Sequence, residues 1–152
     1  MTARKIKSRD FIIEVESSTP DTWFRIENLA NMTINRAANE ETADLTDFDS
    51  EGAYESWIMQ RGASMALAGQ ELKDHLTGAL QPGRARVEEL AGETAVGYES
   101  LGRYRFRHPL NDEWRIWNAT TSVGENGGAT NDPSAWACTI TKSGPSTTAA
   151  VA

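Results

Sequence analysis

The segment GRYRFRHP alternates strictly, with Tyr104 and Phe106 on one set of positions and Arg103, Arg105 and Arg107 on the other. Successive side chains of a strand point to opposite faces, so a period of two needs a strand with one apolar and one polar face. The same period recurs along the chain. In DFIIEVESS, Phe11, Ile13 and Val15 oppose Glu14 and Glu16, and Ile12 breaks the pattern on the acidic face. TWFRIENL sets Phe24 and Ile26 against Arg25 and Glu27, after a turn signalled by Pro20-Asp21. ASMALAG sets Met65 and Leu67 against Ser64, Ala66 and Ala68, and SAWACTITKS places Trp136, Cys138 and Ile140 on one face. EWRIWNATTSV follows GRYRFRHP across the short loop LND, which predicts a hairpin.

Weaker strand signals lie between these. Met32 and Ile34 support an extended stretch, Asn39, Glu40 and Glu41 read as an exposed loop, and Ala43 and Leu45 alternate with Asp44 and Thr46 as a short return strand. Two segments carry helix signals instead. Asp49 and Ser50 are N-cap candidates, Glu51 suits a first helical turn, and Tyr54, Trp57 and Ile58 stand at i, i+3 and i+4. Gly62 then closes that helix as the residue past its end. PGRARVEELAG predicts a second short helix, opened by Pro82, with Val87 and Leu90 as its apolar stripe and Gly92 as its stop. Gln70 to Gln81 is a polar connection without a period, and GENGGATNDP is a flexible loop. The expected class is mainly β: an antiparallel β-sandwich or open barrel with one or two short flanking helices. Residues 1–10 form a charged, flexible arm, 11–144 the β domain, and 145–152 a small-residue tail with no reason to fold.

Composition narrows the function. In 152 residues, 22 acids against 15 bases leave a net charge of −7, which disfavours wrapping nucleic acid. The first residues lack the apolar core of a signal peptide, and no run approaches the ~18 apolar residues of a membrane helix. The expectation is a chain made and folded in a cytoplasm, without membrane contact.

Chemistry is sparse. His75 and His108 are far apart and without metal-ligand spacing, and Cys138 alternates with Trp136 and Ile140 as a small buried hydrophobe does. The acids Glu40, Glu41, Asp44, Asp47, Asp49 and Glu51 lack the central glycine and later glutamate of a calcium loop. A hydrolase would need carboxylates with raised pKa values in a pocket, and the sequence names none. No catalytic, metal or cofactor site is expected. Because Tyr104 and Phe106 point away from the arginines, the aromatics read as core rather than as a platform for RNA bases. The exposed arginine stripe then suits an acidic face of a second copy.

The order of pieces adds a resemblance. TWFRIENLANMTINRA, then TADLTDFDSEGAYESWIMQRGASMALAG, resembles the major tail tube proteins of tailed bacteriophages, from the Trp-led strand through the T-D-x-D-S segment to the strand ending in Ala-Gly. PGRARVEELAG is similar to the family's PGQ-type helix, RYRFRHPLNDEW to its hairpin, and SAWACTITKSGPST to its closing strand and exit, so the resemblance spans about Thr22 to Thr147. The hairpin turn departs from the family in having Asn111-Asp112 where a glycine is usual. The resemblance implies a virion protein without catalytic residues that forms hexameric rings stacked into a tail tube, beside other tail components. DNA would pass down the lumen without specific binding. Glu40, Glu41, Asp44 and Asp47, with Arg103, Arg105 and Arg107, are the candidate subunit-interface residues. The alternative is a monomeric β-sandwich binding module, such as a capsid decoration or adhesion domain.

Overall fold

In the computed structural model, which describes residues 1–151, the alternating segments are strands. In chain order they are β1 (Ile12–Glu16), β2 (Trp23–Arg25), β3 (Leu29–Asn35), β4 (Glu41–Asp44), β5 (Ser56–Gln60), β6 (Ser64–Gln70), β7 (Leu101–Arg107), β8 (Glu113–Val123), β9 (Ala135–Lys142) and β10 (Thr147–Ala150). The helix α1 covers Pro82–Leu90, with Gln81 capping it by accepting from the Arg84 N–H at 3.0 Å. Short 3-10 turns occupy Ser8–Asp10, Phe48–Ser50 and Gly97–Ser100.

The main sheet runs β2-β1-β7-β8-β9-β6-β3, with every pairing antiparallel. Its two ends, β2 and β3, are consecutive in the chain and joined only by residues 26–28. Laid flat, seven strands ~4.8 Å apart would hold those ends ~29 Å from each other. A three-residue link spans at most ~14 Å, so the sheet has to curl into an open barrel. One face of the curled sheet turns inward. Ile13, Val15, Met65, Leu67, Tyr104, Trp117, Ala119, Trp136, Cys138 and Ile140 meet there in one cluster, and α1 adds Val87 and Leu90. In β1, β6, β7 and β9 these are the apolar positions that the alternation marks.

The helix also seals the seam between the two sheet ends. Gln81 Nε2 donates to the Arg25 carbonyl at 2.7 Å, and Gly83 sits where a Cβ would stand 2.3 Å from that same oxygen. Any side chain at Gly83 would push the helix off the seam. Arg84, 2% exposed, donates to the carbonyls of Glu27 (3.1 Å), Asn28 (2.8 Å) and Gln70, and its guanidinium lies 4.5 Å from the centre of the Trp136 ring. Loss of solvent lowers its pKa below the usual arginine value. The backbone groups that an open barrel leaves unpaired at its seam thus find a donor from the helix.

Three expectations are corrected. Residues 49–62 form no α-helix: Phe48–Ser50 is a single 3-10 turn, and Trp57 and Ile58 belong to β5, paired with Ala43 and Thr42 of β4. The cap is Asp47 rather than Asp49 or Ser50. Its carboxylate accepts from the Asp49 N–H at 3.0 Å and the Ser50 hydroxyl at 3.1 Å, while its own N–H donates to Ser50 at 3.1 Å. Glu51 then turns left-handed at φ 53°, which ends the turn after three residues. Gly62 is not a helix stop; a Cβ there would stand 2.5 Å from the Ala38 carbonyl oxygen, so close backbone approach selects glycine. In the tail, Thr147–Ala150 is strand β10, pairing Thr147 with Ile116 and Ala149 with Trp114. It occupies the flank of β8 that β9, paired at 119–123, leaves free.

Candidate functional site

Two surfaces carry most of the chain's unusual chemistry: the hairpin β4–β5 and the outward face of β1, β2, β7 and β8. The hairpin forms a two-stranded sheet of its own, and all five residues of β5 are exposed. A two-stranded ribbon is marginal by itself in water, so its register rests on local bonds. Leu45 N–H donates to the Glu55 carbonyl at 2.9 Å, Glu55 N–H to the Thr46 hydroxyl at 3.0 Å, and Gln60 Nε2 to the Asn39 carbonyl at 2.7 Å. Its apolar side chains find no core. Trp57 is 67% exposed, and Phe48, Tyr54, Ile58, Met59 and Leu45 are also exposed.

Around these apolar groups stand seven acids, Glu40, Glu41, Asp44, Asp47, Asp49, Glu51 and Glu55, with no base between them. All seven are exposed. Asp44 accepts from the Thr46 N–H at 2.9 Å, which holds its carboxyl below the usual range, so it stays ionised. Glu40 lies 3.9 Å from Arg61; the other six make no ion pair among the described residues. The structure therefore brings the predicted residues Glu40, Glu41, Asp44 and Asp47 onto one projecting element.

The predicted arginines lie on the barrel. They point outward as the alternation requires, yet their charges are largely met inside the chain. Antiparallel pairing sets Glu14 directly opposite Arg105, and the carboxylate accepts at 2.9 Å from Nη2. Arg103 reaches Glu16 at 2.6 Å and Asp21 at 3.9 Å. Their guanidinium groups also stack. Arg105 lies 4.4 Å from the Trp23 ring and 4.2 Å from Trp114, Arg103 lies 5.4 Å from Trp23, and Arg107 lies 5.0 Å from Trp114. Each arginine of the stripe thus lies against at least one indole ring, a cation–π contact that ties it to the sheet. Arg107 donates to the Pro109 and Asn111 carbonyls, at 3.3 Å each, and meets no carboxylate among the described residues. Hairpin acids and barrel arginines are thus two separate features, and no ion pair joins them among the described residues.

The remaining titratable groups serve the fold. Burial pushes the Cys138 thiol up to about 12, which removes the thiolate that nucleophilic chemistry needs. Burial likewise raises the Tyr104 hydroxyl, which bonds to Thr121 in the core. His75 is exposed; His108 is buried, accepts from the Leu110 N–H at 3.2 Å and meets Phe11 edge-on. Among the described residues, no group of three or more His, Cys, Asp or Glu stands together as metal ligands. Glu71 accepts from Ser134 at 2.6 Å and Asn126 at 2.9 Å, bonds that lower its pKa and tie the loop after β8 to the barrel.

Sequence reasoning missed the exposed apolar strand and the buried Arg84. Both had a signal. Trp57, Ile58 and Met59 are three consecutive apolar residues, which no amphipathic helix of one narrow face accommodates, and Arg84 precedes Val87 by the three positions that set it on the helix's buried stripe.

No protein-family model and no curated protein matches the chain. Solved structures do match in fold. One is from the tail of an empty gene transfer agent particle, refined helically with C6 symmetry. It has a TM-score of 0.67 and 20% identity over 96% of this chain and 100% of the other. Another, from the virion of a native gene transfer agent particle, gives a TM-score of 0.65 at 20% identity with the same coverage. The fold shared with these particle components is the mainly β architecture described above.

Proposed function

We propose that this chain is a structural subunit of a phage tail or tail-like particle, that copies of it close into hexameric rings, and that the rings stack into the tube through which genome DNA travels. The observation that carries the reading is the β4–β5 hairpin, where the consecutive Trp57, Ile58 and Met59 all stand in water on a single strand. Exposed apolar groups on a projection cost solubility unless they are covered in an assembly. The C6 symmetry of the tail structure similar in fold supports six-fold closure. Contacts between unlike surfaces close around an axis, and ring faces then repeat along it. A net charge of −7 suits a lumen for DNA, since like charge keeps a polyanion from adhering.

The test is negative-stain electron microscopy with sedimentation velocity on the purified chain over a concentration series. Rings or hollow tubes are expected above a critical concentration. A chain that stays monomeric throughout, in low and high salt, would overturn the reading and favour a monomeric binding module such as a capsid decoration or adhesion domain.

A further inference from the structure

We infer that the occupant of the groove between the N-terminal arm and the β2–β3 seam is the acidic hairpin of a second copy, with Trp57 in the groove and the hairpin carboxylates against the basic arm. The inference rests on the self-assembly proposed above and names the two surfaces that meet. The groove has a volume of about 380 Å³, and its lining includes Phe11, Leu29 and Met32, with the bases Arg9 and Arg25 and one acid, Glu27, among its polar groups. The first three are only half-buried, so the groove keeps apolar surface that the chain's own core does not cover.

The charges fit in sign. Residues 1–10 carry Arg4, Lys5, Lys7 and Arg9 against the single acid Asp10, and all ten residues are exposed. None of these four bases, nor Arg25, makes an ion pair among the described residues. The hairpin offers the reverse, six acids without a partner around an exposed indole. Arg103 and Arg105, by contrast, already hold Glu16 and Glu14, so a second copy gains less there. A cation set with no anion and an anion set with no cation, each beside uncovered apolar surface, are complementary between copies. The contact joins unlike surfaces, so it can repeat from copy to copy around and along an axis.

The experiment uses two full-length variants with reversed charge. The arm variant carries Arg4→Glu, Lys5→Glu, Lys7→Glu and Arg9→Glu; the hairpin variant carries Glu41→Lys, Asp44→Lys, Asp49→Lys, Glu51→Lys and Glu55→Lys, which leaves only Glu40 and Asp47 acidic. Circular dichroism and thermal unfolding establish that each folds. At low salt, each variant alone should assemble only at a critical concentration about a hundredfold above that of the parent, given several exposed pairs turned from attraction to repulsion. An equimolar mixture should assemble near the parent value, because each reversed arm then meets a reversed hairpin. An arm variant that assembles like the parent would overturn the proposed contact while leaving self-assembly intact. If that variant instead loses only affinity for a short DNA duplex, the arm belongs to nucleic acid and the contact is again overturned. A parent chain that never assembles sinks the contact and the tail reading together.

Discussion

Replacing Arg84 by alanine removes the side chain that closes the barrel seam. In the native fold its guanidinium donates to the carbonyls of Glu27, Asn28 and Gln70 and lies 4.5 Å from the Trp136 ring centre. Each carbonyl left without its donor in these part-buried contacts costs ~1 kcal/mol, and the lost cation–π contact adds ~1 kcal/mol, for a gross loss of ~4 kcal/mol. Against this, the variant no longer has to desolvate a cation whose Nε finds no acceptor among the described residues. That relief offsets ~1 kcal/mol, leaving a net destabilisation of ~3 kcal/mol. For a domain of this size the midpoint of thermal unfolding should fall by ~6–12 °C. Arg84→Lys keeps the charge but not the planar fork, so it should fall between the two.

Urea unfolding followed by circular dichroism, below the concentration of any assembly, measures the loss. Amide exchange locates it: protection should drop in residues 26–28 and in α1 before it drops in β7 and β8. A loss below ~1 kcal/mol, or exchange unchanged at the link, would falsify the assignment of Arg84 as the seam's latch.

Further outcomes follow from the same geometry. Trp57→Ser should leave the monomer's unfolding midpoint within ~4 °C, since the indole packs on little of its own chain. It should raise the critical concentration for assembly ~30-fold in sedimentation, from ~2 kcal/mol of lost burial when about half of the exposed indole surface is covered. Arg105→Ala should destabilise the monomer by ~2 kcal/mol in urea, because it strands Glu14 and unstacks Trp23 and Trp114. Cys138 should resist maleimide at pH 8 until the chain unfolds. Its thiol titrates at 9.0 when unfolded and at about 12 in the fold, so the native state favours the neutral form. The stability tied to that thiol is fully present below the unfolded value and is lost as pH rises through this window, which alkaline unfolding curves should show.

The strands that bury one face were legible because burial imposes the period. Ile13 and Val15, Met65 and Leu67, Trp136, Cys138 and Ile140 alternate in the sequence for the same reason that they meet in the core. The outward direction of Arg103, Arg105 and Arg107 was legible too; their partners were not. Which acid each arginine meets depends on the register of β1 against β7, and that register exists only once the strands pair. Strand β10 could not be read from Thr147–Ala150, whose small residues have no apolar face; a free flank on β8 decides it.

The hairpin is the converse case. Tyr54, Trp57 and Ile58 suggested a helix face, yet β5 buries nothing within its own chain, and a strand with both faces in water leaves no period to read. By itself, then, the sequence determined which positions of β1, β6, β7 and β9 are inside and that these elements are strands, because those follow from local alternation and the exclusion of water. The curl of the sheet, the arginine at its seam and the projection of the hairpin were decided by tertiary structure. Each depends on contacts between segments far apart in the chain, as between Arg84 and Glu27, and no local pattern encodes that distance.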